Sequence, residues 1–274
     1  MNWLQRPASD TQITHGRRLW LYIIGVLILA FLIIPTLIVI PMSFSQSQYL
    51  EFPPRVWGVR WYENYFGSIE WMTATWVSIK AAFWTVLVTT PIATMAAYGL
   101  YVSNIRAARF IFVLLITPMM VPVVLIAIGV FFAYTRLSLN NTMVGLVLAH
   151  SVLALPMALI VISAGLRSYD MNQERVARSL GASRLKAFLV VTLPQIRFSV
   201  ITGALLAFIV SFDEVIVALF ISGGDMSTIT RSMFLALRDQ IDPTIASIST
   251  VMILITTAVF LVAQVLGKSK SDNS

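Results

Sequence analysis

Six stretches of this chain run for more than twenty residues almost without charge, and that pattern decides what it can fold into. They are about Leu19–Met42, Met72–Val102, Phe110–Tyr134, Thr142–Leu166, Ser199–Ser222 and Thr244–Gly267. A helix rises about 1.5 Å per residue, so roughly 20 apolar residues cross the ~30 Å hydrocarbon core of a bilayer. Of 274 residues, 58% are hydrophobic and 11% charged, where soluble domains carry about 25% charged residues. The sequence predicts an all-α polytopic membrane protein with six transmembrane helices. Its domains are a tail 1–18, a single transmembrane domain 19–267 with a cytoplasmic loop 167–197, and a tail 268–274.

Charge placement gives the orientation. With a cytoplasmic N-terminus, thirteen basic residues face inward, Arg17, Arg18, Arg106, Arg109, Arg167 and Lys186 among them. Arg55, Arg60, Arg136, Arg231 and Arg238 face outward, and Lys80 lies inside a span. The positive-inside rule therefore places both termini in the cytoplasm. The net charge of +7 reports orientation, not a nucleic-acid partner. The first span follows Arg17–Arg18, but its apolar run exceeds the roughly 7–15 residues of a signal h-region, so it reads as an uncleaved anchor. Outside lie Ser43–Trp71, whose aromatics suit the membrane interface, and a loop Gly223–Pro243. Pro91, Pro118, Pro122 and Pro156 fall inside spans and read as kinks.

Several chemistries are absent. No Cys is present and the two His are His15 and His150, which leaves no thiolate nucleophile and little for a metal site. His150 reads as a packed, hydrogen-bonded histidine. Gly267-Lys268-Ser269 imitates the end of a phosphate-binding loop, yet Val262 stands where that motif needs its first Gly. No catalytic residue is assigned, and energy must come from another subunit.

The loop between the fourth and fifth spans is the most informative segment. Asp170 or Asn172 caps a first helix carrying Glu174, which a break near Gly181 ends. Ser183 caps a second, with Leu185, Phe188, Leu189 and Thr192 at helical spacing, and Leu193–Pro194 ends it. This is a helix–turn–helix bracket on a membrane bundle.

The pattern Glu174-x-x-Ala177-x-x-Leu180-Gly181-Ala182-Ser183, then Leu193–Pro194, resembles the EAA loop of ATP-binding-cassette importer permeases. Arg175 stands where the common Glu-Glu-Ala-Ala form has its second Glu. His150…Leu155–Pro156, Ser211-Phe-Asp-Glu-Val-Ile-Val and Ile221-Ser-Gly223 are similar to the spermidine/putrescine permeases, the C-type subunit most of all. The resemblance implies a type I ABC importer permease fold in a bacterial inner membrane. It also implies that the loop docks on a cytoplasmic ATPase, with Glu174 pairing to a basic residue there. Expected partners are an ABC ATPase dimer that binds the ATP and Mg, a second homologous permease, an extracytoplasmic solute-binding protein and the lipid bilayer. This chain itself needs no cofactor and no metal. The first span is expected to embrace the partner permease.

Asp213–Glu214 is the sharpest chemical feature, because a carboxylate near a span's centre costs about 2.5–3.5 kcal/mol on insertion scales. On a continuous helix no basic residue lies three or four positions from Asp213. With Ser211, Phe212 and Lys80 it forms the candidate substrate path, as a lining that attracts cations, as a structural clamp with Lys80, or as a gate or subunit contact. Polyamine, or a similar organic cation, is the leading substrate. Amino-acid-like, opine-like or iron compounds are alternatives, and so is an ion-coupled secondary transporter using Asp213 and Glu214. An intramembrane protease is disfavoured, since adjacent helical residues point about 100° apart.

Overall fold

A computed structural model describes residues 14–103, 105–239 and 241–268, and side chains up to 258 and at 261. Most of the expected tails, with Arg6 and Lys270, lie outside the described residues. Among these no β-strand forms; the chain is helical, with one isolated bridge between Ser45 and Trp57. The helices are α1 Leu19–Met42, α2 Arg60–Gly67, α3 Ile69–Val102, α4 Ala108–Ile116, α5 Val123–Leu137, α6 Met143–Ser168, α7 Asn172–Ser179, α8 Arg184–Ala187, α9 Leu193–Gln195, α10 Arg197–Phe212, α11 Ile216–Ile221, α12 Ile229–Asp239 and α13 Thr244–Lys268. They fall into two compact units, drawn from residues 1–65 with 241–252, and from 66–240 with 253–274.

In the first unit α1 is apolar on every side and buries none of its residues, as a helix solvated by lipid or another subunit must be. The segment after it folds back on itself: Gln46 N donates to Val56 O at 3.0 Å and Gly58 N to Phe44 O at 2.7 Å. Trp61 and Tyr65 of α2 are buried, while Tyr49, Phe52 and Trp57 are exposed, so only part of this aromatic set is free to meet an interface. Ser247 Oγ donates to Trp61 O at 3.1 Å and Asn64 Nδ2 to Thr244 Oγ1 at 2.8 Å, which fastens α2 to the start of α13.

In the second unit α3, α6 and α10 form the core. The buried face of α3 is built from small residues, among them Ala74, Ser78, Ala81, Thr85, Thr89, Ala93 and Ala97. Small side chains let helix backbones approach closely, which is how membrane helices gain packing energy without a hydrophobic drive. Ala93, Ala97, Leu159, Ile162 and Leu166 pack into one cluster, and Val77, Ala81, Ala127, Leu146 and Ala149 into another. Gly165 of α6 lies close against Ser199 of α10: a Cβ there would lie 2.1 Å from Ser199 Oγ and 2.5 Å from Ser199 Cβ. Gly165→Ala should therefore destabilise the chain by about 1–3 kcal/mol through overpacking. Thermal unfolding in detergent checks this, and adding Ser199→Gly should recover most of the loss.

Three helices, α1, α3 and α6, are each long and apolar enough to cross a membrane alone. Two of the expected spans are not straight helices. The third breaks at Pro122, where the runs 108–120 and 123–137 bend by 98°. Proline lacks the N–H that would continue the ladder, and here Pro118 and Pro122 make a break rather than the expected kink. The fifth breaks at residues 213–215, between α10 and α11. The expected outer loop 223–243 contains α12, which begins after Thr228 accepts from Arg231 N at 3.3 Å. Ile229, Met233, Phe234 and Leu237 place apolar residues at helical spacing in this segment.

Candidate functional site

The bracket forms as the sequence predicts in its first half. Asp170 Oδ1 accepts from Asn172 N at 2.9 Å and opens α7. At the far end Gly181 takes φ +95°, with Gly181 N donating to Arg178 O and Ala182 N to Ala177 O, at 3.0 and 3.1 Å. This pair of bonds is a Schellman turn, and glycine enters its left-handed position without the steric penalty of a Cβ. Ser183 Oγ then accepts from Lys186 N at 3.3 Å and starts α8. Leu180 is 85% exposed at the tip, with Val176, Leu185 and Arg175 also exposed.

The second half differs. After α8 the backbone makes a π-helical turn, Phe188–Thr192, and continues through Leu193–Pro194 as α9. Proline at the start of a helical turn breaks no bond that the turn needs. The bend of 78° comes instead at Ile196, between α9 and α10.

Glu174 corrects the expectation drawn from the resemblance. It is 2% exposed and does not face outward to a partner. Tyr98 Oη donates to Glu174 Oε1 at 2.7 Å, and Thr192 Oγ1 to Glu174 Oε2 at 2.6 Å. The carboxylate joins α7 to α3 and to the π turn, while the Tyr98 ring lies 4.5 Å from that of Phe188. Arg175 is the outward neighbour, its Nη1 donating to Asn172 Oδ1 at 3.3 Å. No sequence pattern pairs Tyr98 or Thr192 with Glu174, because both links are purely tertiary.

The carboxylates of the fifth span sit at its break, not on a continuous helix. Phe212 is buried and stacked on Phe208, with ring centroids 5.4 Å apart. Ser211 Oγ shares a 2.8 Å hydrogen bond with His150 Nδ1 and donates to Thr85 Oγ1 at 3.3 Å, so α10 is locked to α6 and α3 just before the break. His150 is thus a packed, hydrogen-bonded histidine. Glu214 Oε1 accepts from Val217 N at 2.8 Å and caps α11, while Glu214 O accepts from Thr230 Oγ1 at 2.9 Å. Ile229 N donates to Ser78 Oγ at 2.8 Å, which seats α12 on α3. Asp213 is exposed, and among the described residues its carboxylate has no hydrogen bond or ion pair.

The Lys80 clamp does not form. Among the described residues the one ion pair is Arg238–Asp239 at 2.6 Å, an exposed pair of the kind that contributes little. It holds the Asp239 carboxyl below its ordinary range through the Arg238 hydrogen bond. Lys80 instead lines an open groove of about 660 Å³ with Thr73, Trp76, Val77, Asp225 and Met226. Among the described residues no group of His, Asp and Glu is arranged to hold a metal.

Discontinuous spans such as the one broken at residues 213–215 occur in membrane transporters. Residues 89–271 match the family described as binding-protein-dependent transport system inner membrane component. The chain belongs to that family. This permease is 30% identical over 241 residues to the putrescine transport system permease protein PotI of Escherichia coli (strain K12), covering 85% of each chain. It is 26% identical over 243 residues to the spermidine/putrescine transport system permease protein PotC of Haemophilus influenzae, covering 88% of this chain and 94% of that protein. Its fold is shared with a chain of a bacterial ABC transporter that imports the acidic polysaccharide alginate, with TM-score 0.70, 16% identity and coverage of 97% and 100%. The permease is a membrane subunit of an ABC importer, not an enzyme. That family membership displaces the gradient-driven transporter.

Proposed function

We propose that this permease carries a polyamine-like organic cation inward by alternating access. The observation behind this reading is the Asp213 carboxylate, exposed and unpaired at the interruption of α10 and α11. An ionisable group left without an internal partner in a span marks a solute path, and a carboxylate there attracts an ammonium group. The polyamine permeases among its relatives favour the same substrate class. In this reading Glu214 shapes the path by capping α11, and Ser211 and Phe212 fix where α10 ends. Lys80 stands at the groove beside Asp225 and Trp76, where its charge discourages a cation from lingering.

The bracket faces the cytoplasm with both termini, and a dimer of ATPases with bound ATP and Mg grips it through the Leu180 tip. Closure of that dimer moves α7, the π turn and the end of α3 together, because Glu174 joins the three, and the motion enters α10 at the Ile196 bend. A second homologous permease encloses the other side of the path, α1 embracing it. An external binding protein delivers the solute. Vesicles holding the assembled importer, given ATP inside and loaded binding protein outside, test the substrate. Putrescine or spermidine should accumulate, and uptake of an amino acid or an iron compound instead would replace the polyamine assignment.

A further inference from the structure

A pocket of about 260 Å³ opens between the ends of α3, α4 and α6, and nothing in the transport reading uses it. Leu100 and Tyr101 wall it from α3, Arg109 and Phe112 from α4, Ser163 and Arg167 from α6. Two arginines remote in sequence thus share one small space, and among the described residues no carboxylate lines it. Both are exposed, so water screens their repulsion, and an anion entering this space would meet two positive charges. Helix electrostatics explains only half of the arrangement. Arg167 lies in the last turn of α6, where a cation is favoured, but Arg109 lies in the first turn of α4, where it is not.

The apolar surroundings narrow the anion. Arg109 directly precedes the apolar run 110–116, and Arg167 directly follows the apolar run that ends at Leu166. Both residues therefore stand where hydrocarbon gives way to the polar headgroup layer, with Phe112 and Leu100 on the pocket wall. An arginine fork matches phosphate oxygens with paired N–H donors, and the Tyr101 and Ser163 hydroxyls add two more donors. We propose that this pocket binds the phosphate of an anionic phospholipid, Arg109 and Arg167 clamping the headgroup while acyl chain lies along Phe112 and Leu100. The bound lipid would join the ends of three helices that the chain itself leaves joined only by packing.

The test uses the importer complex holding the full chain, stripped of lipid in detergent and offered phosphatidylglycerol, phosphatidylcholine or inorganic phosphate before native mass spectrometry. Phosphatidylglycerol should be retained about tenfold better than phosphatidylcholine, as two basic residues near an anionic headgroup provide. Arg109→Gln with Arg167→Gln should abolish that preference, and Arg109→Lys with Arg167→Lys should keep part of it. Millimolar inorganic phosphate should not displace the lipid. Equal retention of the two lipids by the unaltered complex overturns the proposal, as does an unchanged preference in the glutamine variant. Displacement by inorganic phosphate assigns the pocket to a free anion and overturns the lipid.

Discussion

Glu174→Ala should uncouple the permease, and Glu174→Gln should restore it. The alanine leaves the fully buried Thr192 hydroxyl and the half-buried Tyr98 hydroxyl without their shared acceptor. Stranding buried donors costs about 1–3 kcal/mol each, so the bracket should loosen from α3 by roughly 2–4 kcal/mol in all. Transport driven by ATP should fall on the order of a hundredfold, while the protein still reaches the membrane. Glutamine keeps one acceptor oxygen for Tyr98, and the Thr192 hydroxyl can rotate to accept from the new amide. Rescue by glutamine separates the internal tie from an outward ion pair with a basic residue of the ATPase. Were the charge needed at that interface, glutamine would fail as badly as alanine. Uptake and ATP hydrolysis measured on the three forms decide between them.

Asp213→Asn should lower uptake of a polyamine by on the order of tenfold or more, the loss expected when a charge-assisted hydrogen bond becomes a neutral one. Assembly and the stimulated ATPase rate should persist, since the Asp213 carboxylate supports no other described residue. Glu214→Gln is the informative contrast. Its Oε1 acts as a cap for Val217 N, and glutamine retains such an acceptor, so uptake should change far less. Equal loss in both variants would mean that the two carboxylates act as a charge pair. Loss of assembly with Asp213→Asn would make that residue structural.

Much of this architecture was legible in the sequence because bilayer thickness imposes a length on every crossing. Leu19–Met42 was legible to the residue, and the Gly181 turn was legible because only a few residues tolerate its backbone. The breaks were not. Residues 110–134 carry no charge and are almost wholly apolar, and apolarity reports burial in lipid or protein, not whether a helix runs straight through Pro122. At 213–215 the carboxylates look like costly interruptions of a continuous helix until Glu214 is seen capping the next one. α12 was hidden for a different reason: it is short and half polar, so it carries no membrane signal, although Thr228 and the following apolar spacing mark it. The Glu174 site shows the limit most plainly. A motif places that residue in the bracket, but which way its side chain turns depends on Tyr98, seventy-six positions earlier.

The bracket's role as a handle for a separate motor is tested most directly by crosslinking. The sequence contains no cysteine, so Leu180→Cys puts a single thiol at the exposed tip. In native membranes a short bifunctional reagent there should capture one nucleotide-hydrolysing subunit, with a yield that changes when ATP is added. Capture of no such subunit, with the thiol freely labelled by a soluble reagent in the assembled importer, would contradict the account.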